Sequence, residues 1–256
     1  MNSNGEFTVS DLLYYEKAKK DVLIYLSNKL SMFCNQLSIK WMISDRIKSL
    51  KSINDKIAKK KEEKGKDFSY ETDLLDIAGL RIIFCDESDL HSDVRKLDSE
   101  ICNMTPDDFV DKFQCAQAKP NSCNLEYMYR FVGFLMEQSQ KVDEIINVDI
   151  VKDYVKYPKA SGYQSIHVII NVMVESIDEN GDLITKKCPV EIQIRNFLQH
   201  LFDEREHDVR YKKSLIDSYY DYSSAFDMAK QVLNIYSASY HNSCFDIDRY
   251  NGKQIK

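Results

Sequence analysis

Residues 166–174 read IHVIINVMV and residues 190–195 read VEIQIR, with the turn signal DENG at 178–181 between them. The first run is nearly continuous in apolar and β-branched residues, the pattern of a central strand covered on both faces. Asn-Gly favours a hairpin, so the second run should return beside the first. Its strict alternation sends Ile192 and Ile194 into the core and Glu191, Gln193 and Arg195 to the opposite face. Three polar groups in a row on a central strand either meet solvent or form the floor of a site.

Outward from this pair, LRIIFC at 80–85 reads as a further buried strand and Trp41–Ile43 as a short one. Helical spacing predicts helices over 10–38, where Tyr15, Ala18, Val22, Leu26 and Leu30 share a face, and over 52–64, with Ser52 as N-cap and Gly65 as terminator. Further helices are expected over 89–101, 197–213 and 223–236, and within the aromatic-rich stretch 102–147. Helices and strands in this order predict an α/β (α+β) domain: a mixed β-sheet flanked by helices. The expected organisation is a helical extension over 1–39, a core domain over 40–215 with an insert at about 102–147, and a C-terminal helix and tail over 216–256.

The 256 residues carry a net charge of -6, which argues against a chain coated with nucleic acid. The charge is uneven, however: ten Lys/Arg stand against four Asp/Glu between Lys40 and Lys66. Such a basic segment in an acidic chain fits a focused anion site, although a solvated lysine-rich helix has the same composition. The seven cysteines are irregularly spaced and form no C-x-x-C pair, which fits reduced thiols rather than a disulfide frame or zinc site. No stretch of about 18 apolar residues is present, and MNSNGEFTVSDLL does not read as a secretory signal. A cytoplasmic location is the expectation.

Four groups of residues could carry chemistry. Arg46 and Lys48 alternate on an extended segment, and Ser52, Lys56, Lys59 and Lys60 share one face of the helix after it. Cations converging at a helix N-terminus suit a polyphosphate. In DIAGLRII, Asp76 precedes a buried strand and is placed to hold a metal ion, or to pair with Arg81. In the loop DYVKYPKASGYQSIH, residues 153–167, Lys159 offers a charge and Tyr163 a flat ring for a base, with His167 on the same strand face. Glu191 could be a second metal ligand or a base. Together the groups suit phosphoryl-type transfer between two bound substrates, which needs positioning and charge neutralisation but no protein nucleophile.

The segments RIKSLKSINDKIAKK (46–60), DIAGLRI (76–82), DYVKYPKASGYQSIH (153–167) and VEIQIRNFLQHLFDEREHDVRYK (190–212) resemble, in order, the motifs of the RelA/SpoT-type small alarmone synthetases. That resemblance implies a nucleotidyltransferase-like synthetase domain that moves pyrophosphate from ATP to the 3′-hydroxyl of GTP, GDP or GMP, with release of AMP. It implies that Arg46, Lys48, Lys56 and Lys59 grip ATP, with Ser52 near them and Arg81 flanking the adenine. Asp76 and Glu191 would hold Mg²⁺, and Glu191 would draw the proton from the acceptor hydroxyl. Tyr163 would stack on guanine, and Lys159, His167 and Gln193 would contact the acceptor or the transferred phosphates. His200 stands where small synthetases usually have Asn, near the acceptor. Asn196 stands in place of Thr, and Lys59 and Gln164 in place of Arg. The resemblance further implies a homo-oligomer, commonly a tetramer, and a chain this short is expected to lack alarmone hydrolysis. Some small relatives pyrophosphorylate the 3′ end of tRNA instead, which is the alternative reading.

Overall fold

A computed structural model describes residues 7–35, 39–65, 68, 73–85, 94–118, 125–139, 146–177, 181–211 and 216–240. Helix α1 (Val9–Cys34) opens with a capping box, in which Thr8 and Asp11 exchange side-chain and backbone hydrogen bonds. Its Ala18, Val22, Leu26 and Leu30 are fully buried, as their spacing predicts. Strand β1 (Lys40–Ile47) is longer than the three residues expected and carries Arg46 near its end. Helix α2 (Leu50–Lys64) follows, and its cap is Ser49, whose side chain accepts from the Ser52 backbone N–H; Ser52 lies inside the first turn. Gly65 ends the helix with φ +58°.

Strand β2 (Ala78–Cys85) leads to α3 (Val94–Asn103), α4 (Pro106–Ala118) and α5 (Leu125–Ser139). The early part of the helix expected at 89–101 and most of the DENG turn lie outside the described residues. Strand β3 (Ile146–Asp153) was not expected from the sequence. INVDIVKD mixes apolar and charged residues, and a register shift between Val148 and Ile150 breaks its alternation. The hairpin strands β4 (Ile166–Ile177) and β5 (Leu183–Asn196) precede α6 (Phe197–Tyr211) and α7 (Ile216–Tyr240).

The five strands form one sheet in the order β1-β2-β5-β4-β3. Among the described residues only the β2–β5 pair is parallel, so the sheet is mixed as expected. Its two faces differ chemically. On one face Phe84 packs between Phe33 of α1 and Phe131 of α5, with ring centroids 6.5 and 5.7 Å away. The registers align the other face: Arg46 lies opposite Gly79, Gly79 opposite Glu191, and Arg81 opposite Gln193, which in turn faces His167 and, beyond it, Lys152. A polar band therefore crosses all five strands. Helix α6 covers one end of it, sending Asp203 and Glu204 toward the sheet arginines.

The insert is tied to the C-terminal helices. Phe109 and Phe113 of α4 are fully buried, and Phe109 meets Tyr222 and Phe226 of α7. Arg205 of α6 donates to the Cys102 carbonyl at the end of α3 and to the Tyr222 hydroxyl, which donates in turn to the Met104 carbonyl.

Candidate active site

The basic segment meets its acid first. Lys48 Nζ lies 2.5 Å from Asp76 Oδ2, and Lys56 Nζ lies 2.6 Å from Asp76 Oδ1. Lys48 leaves the end of β1, its backbone N–H bonded to the Ile77 carbonyl, and Lys56 points back from the second turn of α2. Burial alone would raise the Asp76 pKa, but the two ammonium groups overcome it and hold the carboxyl below its usual range. Burial likewise pushes Lys48 below the ordinary lysine value despite Asp76. The Asp76–Arg81 pair left open by the sequence does not form; Arg81 Nη1 instead pairs with Glu204 at 2.7 Å.

Three residues of this group lie away from the cluster. Ser52 is exposed, and the Lys59 side chain is 76% exposed, 4.0 Å from Glu63. Lys60 also turns to Glu63. These three share a helix face with Lys56, but of the four Lys56 alone reaches Asp76.

Across the parallel pair, Glu191 anchors a hydrogen-bond network. Its Oε1 lies 3.0 Å from His167 Nδ1, and its Oε2 accepts from Gln193 Nε2 at 2.9 Å. Burial would raise the Glu191 carboxyl, yet these bonds prevail and its pKa lies below the usual value, so the group is ionised. An ionised acceptor requires the proton on His167 Nδ1, and the other ring nitrogen, Nε2, lies 2.6 Å from the Tyr163 hydroxyl. That hydroxyl accepts from Arg195 Nη2 at 3.1 Å, and Arg195 also donates to Gln193 Oε1 at 2.7 Å and pairs with Asp203 at 2.6 Å. Arg195, 1% exposed, thus ties β5 to the loop and to α6.

The 153–167 loop is built to hold a cation over rings. Lys159 Nζ sits 4.6 Å from the Tyr154 ring centroid and 4.5 Å from that of Tyr163. Gly162, at φ +96°, closes the turn, donating from its N–H to the Lys159 carbonyl at 2.9 Å. Gln164 is 2% exposed and bonds Asn234, Ser237 and Gln199, so it anchors the loop on α6 and α7.

These pieces line one cleft. Asp76, Glu191, Lys159, Tyr163, His167 and Arg195 border a cavity of about 560 Å³. A smaller volume of about 300 Å³ opens beside it under β1 and α3, and Arg46, Arg81, Glu191 and Gln193 border both. Arg46 lies across Gly79: a Cβ at this position would meet the Glu191 carbonyl at 3.4 Å and Arg46 Cγ and Nε at 3.8 Å, ordinary contact distances. His200 borders neither volume. It is fully buried, with Nε2 2.9 Å from Asp98 Oδ1, so the expected place beside an acceptor is not where the fold puts it. Its position on the buried side of α6 turns it to α3, the helix expected over 89–101.

Several lining residues escaped sequence reading. Lys152 and Tyr154 flank the end of the unexpected edge strand, and Asp203, Glu204 and Asp98 come from helix faces. An available signal was the recurrence of Asp203, Glu206, His207 and Arg210 at steps of three and four along α6, which puts them on one face.

As a metal locus, the cleft supplies oxygen donors. Asp76 and Glu191 border the same cavity, and each carboxylate is close enough that Asp76 acts to raise the Glu191 pKa. Among the described residues, no three His, Cys, Asp or Glu side chains cluster closely enough to hold an ion by themselves. Two carboxylates completed by phosphates and water fit Mg²⁺.

Residues 45–124 and 121–215 match the family model described as the region found in RelA / SpoT proteins. No curated protein matches the chain. Among solved structures, a GTP pyrophosphokinase family protein from Streptococcus pneumoniae is 21% identical, with a TM-score of 0.54 over 97% of this chain and 98% of that one. Small alarmone synthetase 2 from Bacillus subtilis is 24% identical, with a TM-score of 0.50 over 88% of this chain and 96% of that one. Small alarmone synthetase 1 from the same organism, bound to its product pppGpp, is 18% identical, with a TM-score of 0.51 over 94% and 95%. At these identities the likeness is one of fold.

Proposed function

Because the match covers most of its length, the chain belongs to the RelA/SpoT family, and from that premise we propose that it transfers pyrophosphate from ATP to the 3′-hydroxyl of a guanine nucleotide. The observation that carries the reading is the one cleft bordered by both Glu191 and Asp76, the latter paired with Lys48 and Lys56. The solved relatives include a synthetase bound to pppGpp, a product of this chemistry.

In this reading ATP enters from the β1–α2 side. Lys48 and Lys56, now neutralising Asp76, hold its phosphate oxygens, while Arg46 and Arg81 flank the base. The acceptor lies over β4 and the 153–167 loop, with Lys159 near its phosphates and Tyr163 and Tyr154 offering ring surface. Asp76 and Glu191 would hold Mg²⁺, whose charge offsets that of the phosphates. The 3′-oxygen attacks the β-phosphorus, the bond from that phosphorus to the α,β-bridging oxygen breaks, AMP leaves, and the hydroxyl proton passes to Glu191. With its pKa below the usual range, Glu191 is a weak base, so positioning and charge neutralisation supply most of the rate.

Incubation with Mg²⁺, ATP labelled in its β-phosphate and GTP, GDP or GMP should yield AMP and a labelled 3′-pyrophosphorylated product. No product with any of the three would overturn the reading, and label passing only to uncharged tRNA would move the acceptor to RNA. We extend the proposal to a cytoplasmic homo-oligomer without alarmone hydrolysis; mass measurement in solution and incubation of (p)ppGpp with Mn²⁺ test its last two parts.

A further inference from the structure

The smaller volume has a feature that phosphate binding does not use. Arg46 and Arg81 border it, Ile43, Leu80 and Val94 give it apolar wall, and the Asp98 carboxylate of α3 closes one side. At about 300 Å³ it is sized for a flat base rather than a whole nucleotide, and guanidinium planes stack readily on such rings. Asp98 is held from behind: His200 Nε2 meets its Oδ1 at 2.9 Å, while the imidazole is fully buried and its Nδ1 has no hydrogen-bond partner among the described residues. Burial drives His200 below its ordinary pKa even though Asp98 opposes the shift, so the imidazole is neutral and gives Asp98 one N–H. Among the described residues His200 is the one hydrogen-bond partner of Asp98, whose side chain is 33% exposed and borders the cleft.

We infer that Asp98, positioned by His200, selects the donor nucleotide by accepting a hydrogen bond from the 6-amino group of its purine. The inference rests on the transfer reading above and adds to it a reason for ATP in particular. An ionised carboxylate only accepts. A 6-amino purine presents a donor there; a 6-keto purine in the same orientation presents a second acceptor, and an unsubstituted purine presents nothing. A site built around a polar contact discriminates strongly against ligands that cannot make it.

Binding of ATP, purine riboside triphosphate and ITP is measured by titration calorimetry with Mg²⁺ and without acceptor, so that transfer is not needed for a result. The unmodified chain should bind ATP about 10- to 100-fold more tightly than purine riboside triphosphate, the size of one hydrogen bond to a charged acceptor, and ITP more weakly still. Asp98→Ala should bring ATP down to the level of purine riboside triphosphate while leaving the latter unchanged. His200→Ala should narrow the same ratio, which a loss of stability alone would not do. Equal binding of the three ligands by the unmodified chain, or a preference for ITP, overturns the assignment whether or not the variants fold, while leaving pyrophosphate transfer standing. An ATP preference that survives in a folded Asp98→Ala protein also overturns it. Failure of every triphosphate to bind would sink the transfer reading as well.

Discussion

Replacing Gly162 by alanine tests how the acceptor-side loop is held. The residue sits at φ +96°, where a side chain costs about 1–3 kcal/mol in backbone strain. Its new Cβ would also lie 3.1 Å from Phe202 Cζ and 3.1 Å from Lys230 Cγ. Lys230 can swing aside at the cost of its 2.8 Å bond to the Ala160 carbonyl, but Phe202 is 1% exposed and packed against Phe226. Overpacking of that kind costs about 1–3 kcal/mol, and the stiffer unfolded chain returns only about 0.4–1 kcal/mol. The net expectation is a loss of roughly 2–4 kcal/mol, which lowers Tm by roughly 5–10 °C in a chain of this size. If the loop instead moves to relieve the contact, the Lys159–Tyr163 turn opens, Lys159 leaves the rings, and the acceptor KM rises with little change in Tm. Thermal melting followed by near-ultraviolet circular dichroism, together with acceptor KM, separates the two responses. An alanine variant with the Tm and the acceptor KM of the unmodified chain would refute the reasoning.

Three further outcomes are expected. Lys48→Met and Lys56→Met should each weaken ATP binding about 10-fold, the loss of one charge-assisted contact, with acceptor affinity unchanged; calorimetry with each nucleotide alone checks this. Arg195→Met should cost about 3 kcal/mol in urea unfolding, because half-buried Asp203 loses its cation and Tyr163 and Gln193 lose their buried donor, and adding Asp203→Leu should recover part of it. Asp11 accepts from Thr8 and Lys186, and although burial opposes them, these partners lower its pKa from 3.8 to about 2. Its contribution is complete above the unfolded pKa near 4 and fades as pH falls toward 2, so Asp11→Asn should lose about 1–2 kcal/mol at pH 7, after allowance for solvent screening, and little at pH 2. Denaturant midpoints at both pH values measure the difference.

Much of the architecture is legible one segment at a time. The alternation in VEIQIR, the continuous apolar run of IHVIINVMV and the 3–4 spacing in α1 each state which side of an element is buried, because those periods come from local backbone geometry. The polar face of Glu191, Gln193 and Arg195, and the acid ahead of β2, follow from the same reading. Strand β3 did not, since an edge strand with a register shift lacks a clean period, and Ser52 was mistaken for the cap because serines at 49 and 52 are equally good candidates until the turn is seen.

What only the tertiary structure decided is which of the candidates meet. Helical spacing puts Ser52, Lys56, Lys59 and Lys60 on one face, but the tertiary structure leaves Lys56 on Asp76 and Lys59 in solvent. His200 reads from sequence as a group near a ligand, yet packing of α6 on α3 turns it to Asp98, a residue 102 positions earlier. The parallel β2–β5 register brings Gly79 level with Glu191, and with it Arg46 and Asp76 into the same cleft. Local propensity determined the strongly periodic elements and their buried sides; pairing between strands distant in the chain, fixed by hydrogen bonds and core burial that no single segment contains, determined the site.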